Sequence, residues 1–155
     1  MKKWLFFLII LVAVAFLPKL QNAGTDVAQL LPVQTVAITR QGGQIVLRTD
    51  TVASGVGEDF TEALENLHAT TPARVFLETA EYLLIDPALL NLLPSLLNDL
   101  RPSCRVCKLE GEGDLTLVGD YLRIHQPKSA LLACLSDPAQ IPTLKLTREG
   151  MNLVP

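Results

Sequence analysis

Apolar and polar positions divide this chain into one unbroken greasy run followed by short periodic segments. Trp4–Leu17 is fourteen apolar residues in succession, directly behind Lys2 and Lys3. It has no polar face, unlike an amphipathic helix packed on a soluble core. Beyond it, Val33–Thr39 and Gln44–Ala53 read as two strands linked through Arg40-Gln41-Gly42-Gly43. Ile45, Leu47 and Thr49 alternate with Val46, Arg48 and Asp50, and the Gly-Gly link predicts a hairpin. Ser54-Gly55-Val56-Gly57 is expected to turn the chain into a helix over Asp59–His68. There Phe60, Ala63, Leu64 and Leu67 form one stripe, Asp59 suits the cap, and Glu62 follows at capping-box spacing.

Arg74–Glu78 and Tyr82–Ile85 follow as short strands. Asp86-Pro87 should open a leucine-rich helix through Leu100, because Asp accepts free backbone N–H groups and Pro needs no donor in the first turn. Pro94 predicts a kink there or two short helices. Arg105–Leu109 reads as a strand, Glu110–Asp114 as an acidic glycine-rich turn, and Leu115–Ile124 as strand-like. Ser129–Leu135 is expected to be a short helix and Leu144–Leu153 a hairpin turning at Glu149-Gly150. The pattern predicts an α+β fold, a mixed α/β sandwich: a small mixed sheet with two or three amphipathic helices, preceded by an N-terminal apolar helix.

The apolar run sets the expected compartment. A positive start followed by a greasy core is the layout of an export signal. As a helix the run covers roughly 21 Å, short of a hydrocarbon core of about 30 Å. Residues 1–23 are therefore read as either a signal peptide, ending near Gln21-Asn22-Ala23, or an uncleaved signal anchor. Residues 24–32 read as a spacer and 33–155 as a single α+β domain. The expected location is membrane-anchored facing outside the cytosol, or secreted if the leader is removed.

Charge narrows the function classes. There are 13 basic and 16 acidic residues, a net charge of −3, and the bases outside the leader are scattered. With few aromatics as well, nucleic acid is not an expected partner.

Candidate chemistry centres on the three cysteines. Cys104-Arg105-Val106-Cys107 is a CxxC, a redox motif when its first thiolate sits at a helix N-terminus. Here Pro102 precedes it and an acidic turn follows, and on a strand residues 104 and 107 would point to opposite faces. Cys134 offers a third thiol, so a disulfide among Cys104, Cys107 and Cys134 is an open alternative. A zinc site from these cysteines with His68 or His125 has enough ligands but not the spacing of a finger or ribbon. His68 is accounted for by the end of its helix, and His125 reads as loop. Ser54-Gly55-Val56-Gly57 lacks the lysine of a phosphate-binding loop. Glu78 with Glu81, and Glu110, Glu112 and Asp114, supply carboxylates without an acid/base pair. No residue is assigned a catalytic role, and no metal or cofactor is expected.

The segment from Val52 to Gly111 resembles the N-terminal domain of the spore-germination receptor C-subunit family, Ger(x)C. The likeness lies in motif order. A strand and Gly-containing turn lead into Gly57-Glu58-Asp59-Phe60-Thr61-Glu62-Ala63-Leu64-Glu65-Asn66-Leu67. Arg74-Val75-Phe76-Leu77-Glu78 follows, then Tyr82-Leu83-Leu84-Ile85-Asp86-Pro87-Ala88-Leu89-Leu90. Leu96-Leu97-Asn98-Asp99-Leu100-Arg101 then precedes Cys104-Arg105-Val106-Cys107-Lys108-Leu109. Leu30–Ile38 occupies the place of the family's first strand. Members usually carry a lipid-attachment cysteine, whereas this chain has none before Cys104, and Thr79 stands about where members have a histidine. The resemblance covers the first domain only; members continue into further domains.

The resemblance implies a non-enzymatic, membrane-associated protein of an endospore-forming bacterium, working with integral-membrane receptor subunits in spore germination. The first expectation is thus an exported or membrane-anchored, non-catalytic interaction domain. The alternatives are an exported thiol-disulfide oxidoreductase using Cys104 and Cys107, and an extracytoplasmic binding module unrelated to germination.

Overall fold

The alternation over residues 35–49 folds as a hairpin in the computed structural model, which describes residues 30–155. Strand β1 is Leu30–Pro32, and β2 (Thr35–Gln41) pairs antiparallel with β3 (Gln44–Thr49), Ile38 opposite Leu47. The leader, as signal or anchor, lies outside the described residues. The expected spacer 24–32 is corrected at its end, because Leu30–Pro32 pairs in a two-stranded sheet with β5, Arg74–Phe76.

Ser54–Gly57 is not a turn but strand β4, antiparallel to β3. The turn falls earlier, at residues 50–53, so the strand expected over Gln44–Ala53 ends at Thr49. Thr49 N–H donates to Ala53 O at 3.0 Å and Asp50 N–H to Thr35 O at 3.1 Å. These bonds hold Val52 at φ 66°, a conformation that a β-branched side chain resists, with its side chain 93% exposed.

Helix α1, Phe60–Thr70, starts where its cap predicts. Asp59 Oδ1 accepts from Glu62 N–H at 2.9 Å. Glu62 reaches back to Glu58 N–H at 2.7 Å, one residue outside the usual capping-box partner. The helix lies directly on β4, and the two glycines permit it. A Cβ on Gly55 would sit 2.5 Å from Leu67 N, and one on Gly57 would sit 2.5 Å from Ala63 N.

Strand β6 (Tyr82–Ile85) runs parallel to β2, and β7 (Arg105–Glu110) runs parallel to β6. Between β6 and β7 the leucine-rich stretch folds as a 3-10 segment, Pro87–Leu92, followed by a short helix α2, Leu93–Leu96. Pro94 thus ends as expected, in two short helices. Asp86 Oδ1 accepts from Ala88 N–H at 2.9 Å as the opening cap. The strand expected over Arg74–Glu78 stops at Phe76, and Leu77–Thr79 coils into a 3-10 turn.

Leu115–Ile124 departs most from its expectation. It is helix α3, Leu115–His125, not a strand. Its β-branched and aromatic residues mimic a strand, but Leu115, Val118, Gly119 and Leu122 form the buried stripe at helical spacing. Asp114 caps the start and Gln126, at φ 42°, ends it in the left-handed region. A short helix α4, Leu131–Cys134, leads to the hairpin β8 (Thr143–Thr147) and β9 (Gly150–Val154).

The main sheet has seven strands in the order β4-β3-β2-β6-β7-β8-β9, larger than the small sheet expected. Strands β2, β6, β7 and β8 are parallel, and antiparallel strands extend the sheet at both sides, β3 and β4 at one and β9 at the other. Leu83 and Ile85 face a core shared with α1, α2 and α4, while Tyr82 and Leu84 face a second core under α3. The fold is therefore α+β, a mixed α/β sandwich with helices on both faces, and residues Leu31–Pro155 form one unit. Among the described residues, no helix is long and apolar enough to cross a membrane.

Helix α3 approaches the sheet as closely as α1 does. A Cβ on Gly119 would lie 2.6 Å from Thr35 Oγ1, itself a buried hydroxyl with no hydrogen-bond partner among the described residues.

Gly55→Ala and Gly119→Ala should each lower unfolding free energy in urea by about 2–3 kcal/mol, the cost of overpacking a closed contact. Adding Thr35→Ala should restore part of the Gly119→Ala loss; strict additivity in that double-mutant cycle would show the two residues do not collide. Val52→Gly should raise stability by up to about 1 kcal/mol by removing a left-handed β-branched residue. A lower urea midpoint for Val52→Gly would show that its backbone is unstrained.

Candidate functional site

The two borders of the main sheet are finished differently. At the β4 border, α1 occupies the outward carbonyls. Thr70 Oγ1 donates to Ser54 O at 3.1 Å, and Asn66 Nδ2 donates to Val56 O at 2.7 Å. At the other border, β9 pairs only with β8, with Leu153 opposite Leu144 and Met151 opposite Leu146. Among the described residues no further strand or helix hydrogen-bonds its outer side. Gly150-Met151-Asn152-Leu153-Val154 also carries no charge to discourage pairing.

A cleft of about 430 Å³ opens beside the end of β9. Pro127, Ala133, Pro142 and Leu153 give it apolar walls, and the exposed Lys128 and Asp137 add charges of both signs. An extended polypeptide could add a strand to β9 and place a side chain in this cleft, since backbone pairing supplies affinity and a neighbouring pocket supplies selectivity. The α3 end shapes the cleft. His125 lies in the last turn of α3 instead of a loop, its ring centroid 4.1 Å from that of Tyr121.

The cysteines divide as the strand alternation predicts. Cys104 packs in the core on the α1 side, and Cys107 packs in the core under α3. Cys134, at the end of α4, belongs to the first core and contributes to the cleft wall. All three are buried free thiols. Burial pushes Cys104 and Cys107 from 9.0 up to about 12, and it also raises Cys134. Burial thus keeps both thiols protonated at neutral pH, and the thiolate is the nucleophile that exchange requires. A CxxC on opposite faces of a strand also gives the two sulfurs no common approach to a substrate disulfide.

The remaining candidates are explained locally. The zinc set does not gather: the described residues contain no group of three potential His, Cys, Asp or Glu ligands. His68 ends α1. Glu110 pairs with Lys145 at 3.0 Å, Glu112 accepts from Gln41 Nε2 at 2.8 Å, and Asp114 caps α3. Glu81 lies 3.8 Å from Arg101. Ser54–Gly57 cradles no phosphate, because its glycines are covered by α1.

The sequence pattern identified the β8–β9 hairpin but not that β9 would be the bare border. Its uncharged run is the one local sign of that role. Nothing in the sequence signalled the cleft, whose walls come from Gln126–Ser129, α4 and β9.

No protein-family model matches the chain, and neither the curated proteins nor the solved structures give a match. The likeness to the germination-receptor C subunit therefore rests on the motif order alone.

A thiol with a raised pKa keeps its proton in the folded chain after the unfolded chain has lost it. Its stabilisation is complete below pH 9 and is lost between about 9 and 12. Urea unfolding from about pH 8 to 11 should therefore show falling stability, with a shallower slope for Cys107→Ala. An unchanged slope in that variant would mean that Cys107 ionises as readily folded as unfolded.

Proposed function

We propose that this chain is an exported or membrane-anchored, non-catalytic interaction domain that binds an extended segment of a membrane partner along β9. The asymmetry of the sheet borders carries the reading: α1 closes one border, while the other is uncharged, unpaired among the described residues and flanked by a cleft. The positively started apolar run at residues 4–17 supports a place at or beyond the membrane. The motif order over residues 52–111 favours integral-membrane germination-receptor subunits of an endospore-forming bacterium as partners. The burial and opposed placement of Cys104 and Cys107 disfavour the thiol-disulfide alternative.

The test places a photo-crosslinking amino acid at Asn152, on the open border, or at Ser54, on the guarded one. In membranes of a spore-forming host, Asn152 should yield an adduct with an integral-membrane receptor subunit and Ser54 should not. Equal labelling from both positions, or none, would remove β9 as the contact. Normal nutrient germination after deletion of the gene would remove the germination role and leave the extracytoplasmic binding module.

A further inference from the structure

Three arginines from separate parts of the chain meet where β6 and β7 begin. Arg105 opens β7 and is the register partner of Tyr82, which opens β6. Arg101 comes from the loop before β7, and Arg123 from the last turn of α3. Together with Ser103 and Gln126 they line a cleft of about 340 Å³. The chain as a whole is acidic, yet this lining holds three positive side chains against the single carboxylate of Glu81.

The existing pairings leave much of this charge unused. Arg101 Nη2 lies 3.8 Å from Glu81 Oε1, too long for a hydrogen bond. Arg101 Nε is buried and has no hydrogen-bond acceptor among the described residues. Arg105 has no carboxylate partner among the ion pairs of the described residues. Arg123 is held by Asp120 at 2.9 Å, but its side chain remains 65% exposed. A buried guanidinium donor without an acceptor is costly, and an anion at the accessible part of the Arg101 side chain, 40% exposed, would offset the charge.

The donors also have a recognisable chemistry. One guanidinium fork suffices for a carboxylate, whereas three guanidinium groups lining one cleft with hydroxyl and amide donors suit the several oxygens of a phosphate. The Tyr82 hydroxyl already lies at hydrogen-bond range of the Arg105 guanidinium, which fixes one donor of that fork and leaves its others for a ligand. The C-terminal end of α3 points unfavourable dipole charge this way, but Arg123 in that turn offsets it.

We propose that the cleft of Arg101, Arg105 and Arg123 is a binding site for a phosphate group, carried by a small phosphomonoester or by a phospholipid headgroup. It is separate from the β9 border and does not depend on the partner suggested there.

The test uses the full chain in nonionic maltoside micelles, which carry no oxyanion, followed by backbone amide NMR. Inorganic phosphate and short-chain phosphatidic acid are titrated separately. Saturable shifts at Tyr82, Ser103 and Arg105 are expected with at least one of them. Shifts with both ligands assign a free phosphate group as sufficient, and shifts with phosphatidic acid alone assign the lipid headgroup. Arg105→Gln and Arg123→Gln should each weaken binding at least tenfold. Arg105→Lys should recover part of the loss, and Arg148→Gln, on the β8–β9 turn, should bind as the parent does. Arg123 is exposed, so Arg123→Gln carries the test if Arg105→Gln does not fold. No saturable shift with either ligand, or equal affinity in a folded Arg123→Gln variant, would overturn the proposal.

Discussion

The architecture depends on burying both faces of one short strand. Tyr82–Ile85 has no exposed side, so each face needs its own layer of helices. Leu83 and Ile85 require the α1, α2 and α4 side, while Tyr82 and Leu84 require α3. The parallel neighbours β2 and β7 inherit the same demand, and their crossovers supply the helices that meet it. Antiparallel strands, β3 and β4 at one side and β9 at the other, extend the sheet outward to its two borders.

Close helix approach then determines how those borders differ. With glycines at positions 55 and 57, α1 comes down on β4 until Asn66 and Thr70 can occupy its carbonyls. Nothing comparable lies over β9 among the described residues. An interaction domain gains from this arrangement, since self-association at one border is suppressed while the other keeps its backbone groups free. The same two-sided burial separates Cys104 from Cys107 and disfavours their ionisation. Cys104 precedes β7 and Cys107 lies on it, one packed in each core, where ionisation is costly.

The start of the parallel strands has a different character. Thr35 and Tyr82 open β2 and β6 buried, but Arg105 opens β7 only half-buried, so it can join Arg101 and Arg123 beside the cleft. The polar cleft and the β9 border both adjoin the end of α3, and Gln126 lines both clefts. The α3 terminus is thus where separate surface features of this domain meet.

Much of the fold was legible in local pattern. The β2–β3 hairpin, the capped helix α1, the proline-divided leucine segment and the terminal hairpin all follow from signals a few residues long. So did the opposed placement of Cys104 and Cys107, which needs only the two-residue period of a strand. Local pattern failed where distant residues decide conformation. Ser54–Gly57 looks like a turn until β3 supplies its pairing partner and α1 its cover. Leu115–Ile124 looks like a strand until the space over Thr35 admits a helix with glycine at position 119. The sequence by itself thus determined the export-type leader pattern, most element types and the two-faced character of β7. Tertiary structure alone decided which border stays open and which arginines converge, because both depend on residues brought together from far apart in the chain.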